Sequence, residues 1–300
     1  MARVYAALGI VYLVWGSTYL AMMVAIRTMP PLLMSSVRFL IAGAVLYLIC
    51  ARGTRPTSGE WLGAAITGGL MLVLGNGGIA WAETRIDSGV AALIVAALPL
   101  WMALLARKRL RGPLELAGIA LGLGGVTLLL SPGGGVNPVG AAVVLVGTLA
   151  WAGGSLLAPR IGLPSRPLVA ASMQMLTAGI LLGVTGISAG ETARIGHLSA
   201  ASLGAFAYLI VFGSILAFTV YGWLLQNASP TLVSTYAFVN PVVAVALGVV
   251  FLHESVGLAT LLAGGAIVGA VVLIVAGRTR KPRPAPAIVR VEARFDQAAA

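Results

Sequence analysis

Three hundred residues carry 59 % hydrophobic and only 9 % charged side chains, with a net charge of +11. A water-soluble domain has roughly a quarter of its residues charged, so this balance excludes one and points to a chain that crosses a membrane repeatedly. The basic excess gathers at the ends of apolar runs, which argues against a nucleic-acid partner and for membrane topology.

Cutting the chain at charged and Pro/Gly-rich joints gives apolar runs close to the roughly 20 residues that cross a ~30 Å hydrocarbon core. Ten are expected, near Tyr5–Ile26, Pro31–Cys50, Trp61–Trp81, Ser88–Ala106, Leu114–Leu130, Val139–Ala158, Leu168–Ala189, Leu203–Leu225, Leu232–His253 and Leu258–Ala276. The first exceeds the about 7–15 apolar residues of a signal-peptide core and leads straight into a second, so it is read as a retained helix. Cys50 is the one cysteine and can form no internal disulfide.

Lysine and arginine alternate in density from joint to joint. One side holds Arg3, Arg52, Arg55, Arg107, Lys108, Arg109, Arg111, Arg160, Arg166 and the tail residues Arg278, Arg280, Lys281, Arg283, Arg290 and Arg294; the other holds Arg27, Arg85 and Arg194. The positive-inside rule then expects both termini in the cytoplasm. The tail from 278 to 300 is basic and proline-rich and is expected to be disordered.

The chain also repeats itself. A shift of 136 lays Trp15-Gly16-Ser17 on Trp151-Ala152-Gly153 and Arg38 on Gln174, and a shift of 142 lays Trp81 on Trp223 and Pro99 on Pro241. The expected fold is all-α: two five-helix repeats, 1–132 and 133–277, around a central cavity. Five is odd, so the repeats must be inverted, as in secondary transporters.

Within this frame, Pro99 and Pro241 each sit inside an apolar run, where proline removes a helix hydrogen bond and bends the chain. Both are read as hinges, together with Gly75 and Gly77 of a thin glycine-rich segment, Gly75-Asn76-Gly77-Gly78. Trp15, Trp101 and Trp151 lie deep enough to offer apolar walls to a cavity. Ser17, Asn76, Ser155, Tyr221, Tyr236 and Asn240 add hydroxyls and amides suited to a zwitterionic small molecule. Arg38 is a charge inside a span and therefore a functional candidate, either for an anionic group or as a structural or gating partner of Glu83. Glu83, Asp87, Glu191, His253 and Glu254 fall on span ends or joints and are read as solvated helix-end groups, with a shallow proton site at Glu83 or Glu254 as the alternative.

The motifs W-G-S-T-Y at 15–19, P-P-x-x-M-x-x-x-R-F-x-x-A-G at 30–43, G-N-G at 75–77 and Y-A-F-V-N-P at 236–241 resemble the EamA family of the drug/metabolite transporter superfamily. That resemblance implies export of amino acids and related metabolites across a bacterial inner membrane by alternating access, through a cavity lined mainly by spans 1, 3, 4, 6, 8 and 9. A passive facilitator, or a nucleotide-sugar or sugar-phosphate carrier, is the alternative. Both lysines lie outside the spans, which disfavours a phosphate-binding carrier. Nucleophile, metal cluster and acid–base pair are all lacking as converging sets, so neither enzyme activity, a cofactor nor a metal is expected. The expected partners are a small-molecule substrate and the lipid bilayer, for a monomer or weak homodimer.

Overall fold

The computed structural model describes residues 2–105, 112–129, 136–228, 233 and 235–279. Among them the chain is nearly all helical. The basic joint at 106–111 and the tail from 280 onward lie outside the described residues.

Six helices are long and apolar enough to cross a membrane: α1 (Ala2–Ala25), α2 (Pro31–Cys50), α3 (Ser58–Ala82), α7 (Pro138–Leu157), α8 (Pro167–Ser188) and α9 (Ala200–Leu224). The other apolar helices of the described set are α4 (Ser88–Val95), α5 (Leu98–Leu105), α6 (Pro113–Leu129), α10 (Tyr236–Leu252) and α11 (Leu258–Thr279). Their starts follow the local chemistry. Proline opens α2, α6, α7 and α8, where a missing N–H costs nothing. Thr57 and Glu60 form a reciprocal capping box at the start of α3.

Helices distant in sequence pack together. The pairs α2 with α8, α6 with α11, and α3 with α7 are the main contacts. Glycine sets the spacing of the second pair: a Cβ on Gly118 would lie 2.8 Å from the carbonyl oxygen of Ala270, and one on Gly125 2.9 Å from that of Ala263. Small residues thus let backbones meet in an environment without a hydrophobic driving force between helices. The Gly265-x3-Gly269 pair of α11 differs, since Gly265 faces open space.

The two proline sites come out unlike each other. Around Pro99 the helix is broken: α4 ends at Val95, Ala96 and Ala97 form a turn, and α5 begins at Leu98. Proline has no N–H for the carbonyl of Val95, and the Ala97 N–H closes instead on Ile94, 3.0 Å away. Pro241, in contrast, lies inside the uninterrupted helix α10. The helix is thus interrupted next to the first proline and continuous through the second.

A different irregularity is shared. In α3 the stretch Gly69–Gly77, and in α9 the stretch Leu209–Leu216, are π-helical. Such wide turns are rare and tend to mark functional segments. The expectation of a loosened segment at Gly75–Gly78 is met at Gly75 to Gly77, while Gly78 already begins the regular helical end of α3.

Candidate functional site

A cavity of about 270 Å³ lies at the middle of the helices, between the two π-helical stretches. Its lining comes from α1, α2, α3, α4, α5, α7, α9 and α10. Seven of the nine substrate-contact candidates named from sequence meet there: Trp15, Asn76, Trp151, Ser155, Tyr221, Tyr236 and Asn240.

One wall is aromatic. Trp15 packs on Tyr221 with ring centroids 5.0 Å apart and on Tyr236 at 5.2 Å, and Phe218 closes on it edge-first at 5.6 Å. The two tyrosines meet at right angles, 5.8 Å apart. The indole N–H of Trp15 donates to the carbonyl of Gly213, 3.3 Å away in the π-helical part of α9, which fixes the ring. Across the cavity Trp151 lies against the backbone of α3: a Cβ on Gly75 would come within 2.7 Å of its ring. Gly75 is thus a point of close approach as well as part of the π-helical stretch.

Arg38 supplies the positive charge. Its side chain is 3 % exposed, lines the cavity, and reaches from α2 into both π-helical stretches. Nε donates to Ser214 Oγ at 2.9 Å, and Nη1 lies 3.5 Å from Asn76 Oδ1, at the limit of a hydrogen bond. Gly213 makes room, since a Cβ there would stand 3.3 Å from Nη2. All the acceptors are neutral, so the guanidinium keeps its full charge, with donors to spare, at the cavity wall.

Other residues lie elsewhere. Ser17 donates to the carbonyl of Val14 and bonds the hydroxyl of Tyr208 at 2.6 Å, outside the lining. Trp101 and Pro99 also stand outside it, whereas their neighbours Leu98 and Met102 line it. The indole nitrogen of Trp101 is buried without a hydrogen-bond partner among the described residues. Gly77 faces α8, where a Cβ would meet Leu182 at 2.5 Å. Asn240, with its amide nitrogen turned toward them, donates to the carbonyls of Tyr12 (3.3 Å) and Tyr236 (3.2 Å), tying α10 to α1.

At the end of the molecule that holds the α1–α2 and α3–α4 joints, an apolar cluster that includes Met22, Ile79, Ile86, Val90 and Leu209 seals the helices together. Here the expectation of solvated helix-end carboxylates is corrected twice. Glu191, 3 % exposed, accepts from the N–H groups of Leu32 (3.0 Å) and Leu33 (2.9 Å) and so caps α2. Glu254 accepts from the N–H of Ser88 (2.9 Å), its hydroxyl (2.6 Å) and the N–H of Gly89 (3.1 Å), capping α4. His253, at φ 55°, turns the chain left-handed so that Glu254 points back toward α4. A carboxylate at a helix N-terminus satisfies orphan donors and meets the positive end of the helix dipole. Glu83, immediately after α3, is also 3 % exposed, yet neither of its oxygens has a hydrogen-bond partner among the described residues.

Sequence reasoning missed Ser214, Thr148, Phe218 and Tyr19. Ser214 carried a faint signal, a glycine–serine pair in an apolar run. The others look like ordinary helix residues until the helices are assembled.

A mainly apolar cavity with an aromatic wall and, among the described residues, one buried cation, held among membrane-crossing helices, is the architecture of a membrane transporter of small molecules. The model of the EamA-like transporter family matches residues 3–131 and again 138–276, and the chain belongs to that family. It is 41 % identical over 297 residues to the uncharacterized inner membrane transporter YedA of Escherichia coli K12, covering 95 % of each chain. It is 29 % identical to the protein PecM of Dickeya dadantii, over 86 % of this chain and 85 % of that one. One crystal structure shares the fold with a TM-score of 0.61 at 22 % identity, covering 94 % of this chain and all of the other.

Proposed function

We propose that the protein is a secondary transporter that exports amino acids and related small metabolites across a bacterial inner membrane by alternating access. In this reading ten spans form two inverted five-helix repeats, 1–132 and 133–277, with both termini cytoplasmic, in a monomer or weak homodimer. The end sealed around Met22 and Ile79 is then the outer end. The observation that carries the reading is the central cavity. Its volume of about 270 Å³ stands just below the range of about 300–1,000 Å³ usual for small-molecule pockets, a size for an amino acid rather than a nucleotide sugar.

The chemistry matches a zwitterion. The guanidinium of Arg38 suits a carboxylate, and the faces of Trp15, Tyr221 and Tyr236 suit an ammonium group or an apolar side chain. Sequence relatives that carry the name of inner membrane transporter support the location. The helix interruption at Ala96–Ala97, with Ala96 lining the cavity, supports Pro99 as a hinge for the rocking motion.

Exchange of radiolabelled amino acids by the purified protein in liposomes tests this. At least one amino acid is expected to exchange, with Trp15→Ala and Arg38→Gln each raising its KM. Absence of exchange across a full panel by folded protein overturns the substrate class. Accumulation against a substrate gradient separates coupled transport from passive flux.

A further inference from the structure

Among the carboxyl groups at the outer end, Glu83 stands apart: it is 3 % exposed and both its oxygens lack a hydrogen-bond partner among the described residues. An ionised carboxylate so placed is untenable, and such a group takes up a proton instead. Its surroundings confirm the need. Arg38, from α2, is near enough to interact electrostatically, but its hydrogen bonds go to Ser214 and Asn76. Glu254, from the α10–α11 joint, adds negative charge. Tyr19 of α1 lies within electrostatic reach, and Tyr208 of α9, at the flank of the same apolar cluster, is engaged with Ser17. From its own joint come Asp87 and Arg85, the latter laid over the Trp81 ring at 3.6 Å. From α7 come the apolar residues Ala141 and Val144.

The position has a mechanical meaning. Glu83 follows α3 one turn beyond Ile79, a residue of the cavity lining, so it lies between the cavity and the joint that closes over it. For the carrier to open here, the end of α3 must part from α7 and α2, on which it packs, and this brings water to the carboxyl. We propose that Glu83 is a proton-binding site that latches the outer end shut: it stands as the neutral acid in this closed conformation and ionises when that end opens. On opening, its O–H bond breaks and the proton passes to entering water. On closing, the carboxylate takes one proton back.

Burial pushes the Glu83 carboxyl well above the ordinary carboxylate range, the Glu254 charge adds to this, and Arg38 works against both. The closed conformation therefore binds one proton more than the open one, and rising pH favours opening. The inference rests on the alternating-access reading for its consequence, but not for the protonation itself.

Two measurements test it. Infrared spectra of the purified, substrate-free protein are expected to show a protonated carboxyl carbonyl band at neutral pH that titrates away in base and is missing from Glu83→Gln. In liposomes at equal pH on both sides, wild-type exchange is expected to rise with pH, Glu83→Gln to lose this rise, and Glu83→Asp to keep it with a shifted midpoint. A spectrum unchanged by Glu83→Gln overturns the proposal, and so does the same pH–exchange profile in wild type and Glu83→Gln. Should Glu83→Gln fail to fold, the wild-type band and the Glu83→Asp midpoint decide. Lack of any wild-type exchange overturns the transport reading and the latch's role in it, while the infrared titration still settles the proton on Glu83.

Discussion

Two carboxyl groups flank the start of α4, and they have opposite fates. Glu254, arriving from the far part of the chain, has three donors and completes the helix terminus. Glu83, one short joint earlier in the sequence, is buried, at 3 % exposure, and has no donor among the described residues. The difference teaches that burial by itself does not assign a role to an acid in a membrane. A carboxylate that receives backbone N–H groups is a structural anion, and one that receives none is a group waiting for a proton.

Removing the satisfied anion is expected to have the largest effect. Glu254→Ala strands three donors at a buried helix start and should lower stability by about 3 kcal/mol, read from thermal unfolding in detergent. Glu254→Gln should fall between. Glu191→Ala uncaps α2 in the same way, with two backbone donors lost rather than three, and is expected to cost about 2 kcal/mol. A neutral result for either would break the contrast from the satisfied side.

The unsatisfied side runs in the opposite direction. The Glu83 carboxyl is held well above its usual 4.5 by burial first and the Glu254 charge second. The native state therefore retains a proton that the unfolded chain releases. Its contribution to stability is fully present below that ordinary value and is lost as pH rises toward the raised one. Across this window Glu83→Gln should gain on the wild type by about 1.4 kcal/mol per pH unit, and melting curves at a series of pH values check it. The smallest effect is expected at the other orphan. Trp101→Phe removes an indole N–H that has no partner and should alter stability by less than about 1 kcal/mol, whereas Trp15→Phe should cost more, because it gives up a bond to Gly213.

These contrasts also mark how far the sequence could be read. Apolar runs of membrane length, proline and glycine positions, and Arg38 as an intramembrane charge were all legible, because each depends on local composition. The meeting of Trp15, Trp151, Tyr221 and Tyr236 was legible too, through internal similarity and family motifs. Glu191 and Glu254 were not legible as helix caps, and Glu83 was legible only as an alternative, a shallow proton site. Each is a short-range problem in sequence, a charge at a span end, whose solution lies in a helix start more than a hundred residues away or nowhere at all. Trp101 failed for a related reason: adjacency to Pro99 says that a helix is broken, not which way its side chains turn after the break.

The caps have a consequence for synthesis. Leu32 and Leu33 wait for a residue 159 and 158 positions downstream, and Ser88 for one 166 positions downstream. At about 5–20 residues per second, that is an interval of roughly ten to thirty seconds in which α2 and α4 have left the ribosome without the acids that complete them. Neither helix start can reach its final form until the later helices arrive. The early spans must therefore remain adjustable in depth and tilt until then, and the finished carrier is locked by residues made well after the helices they cap.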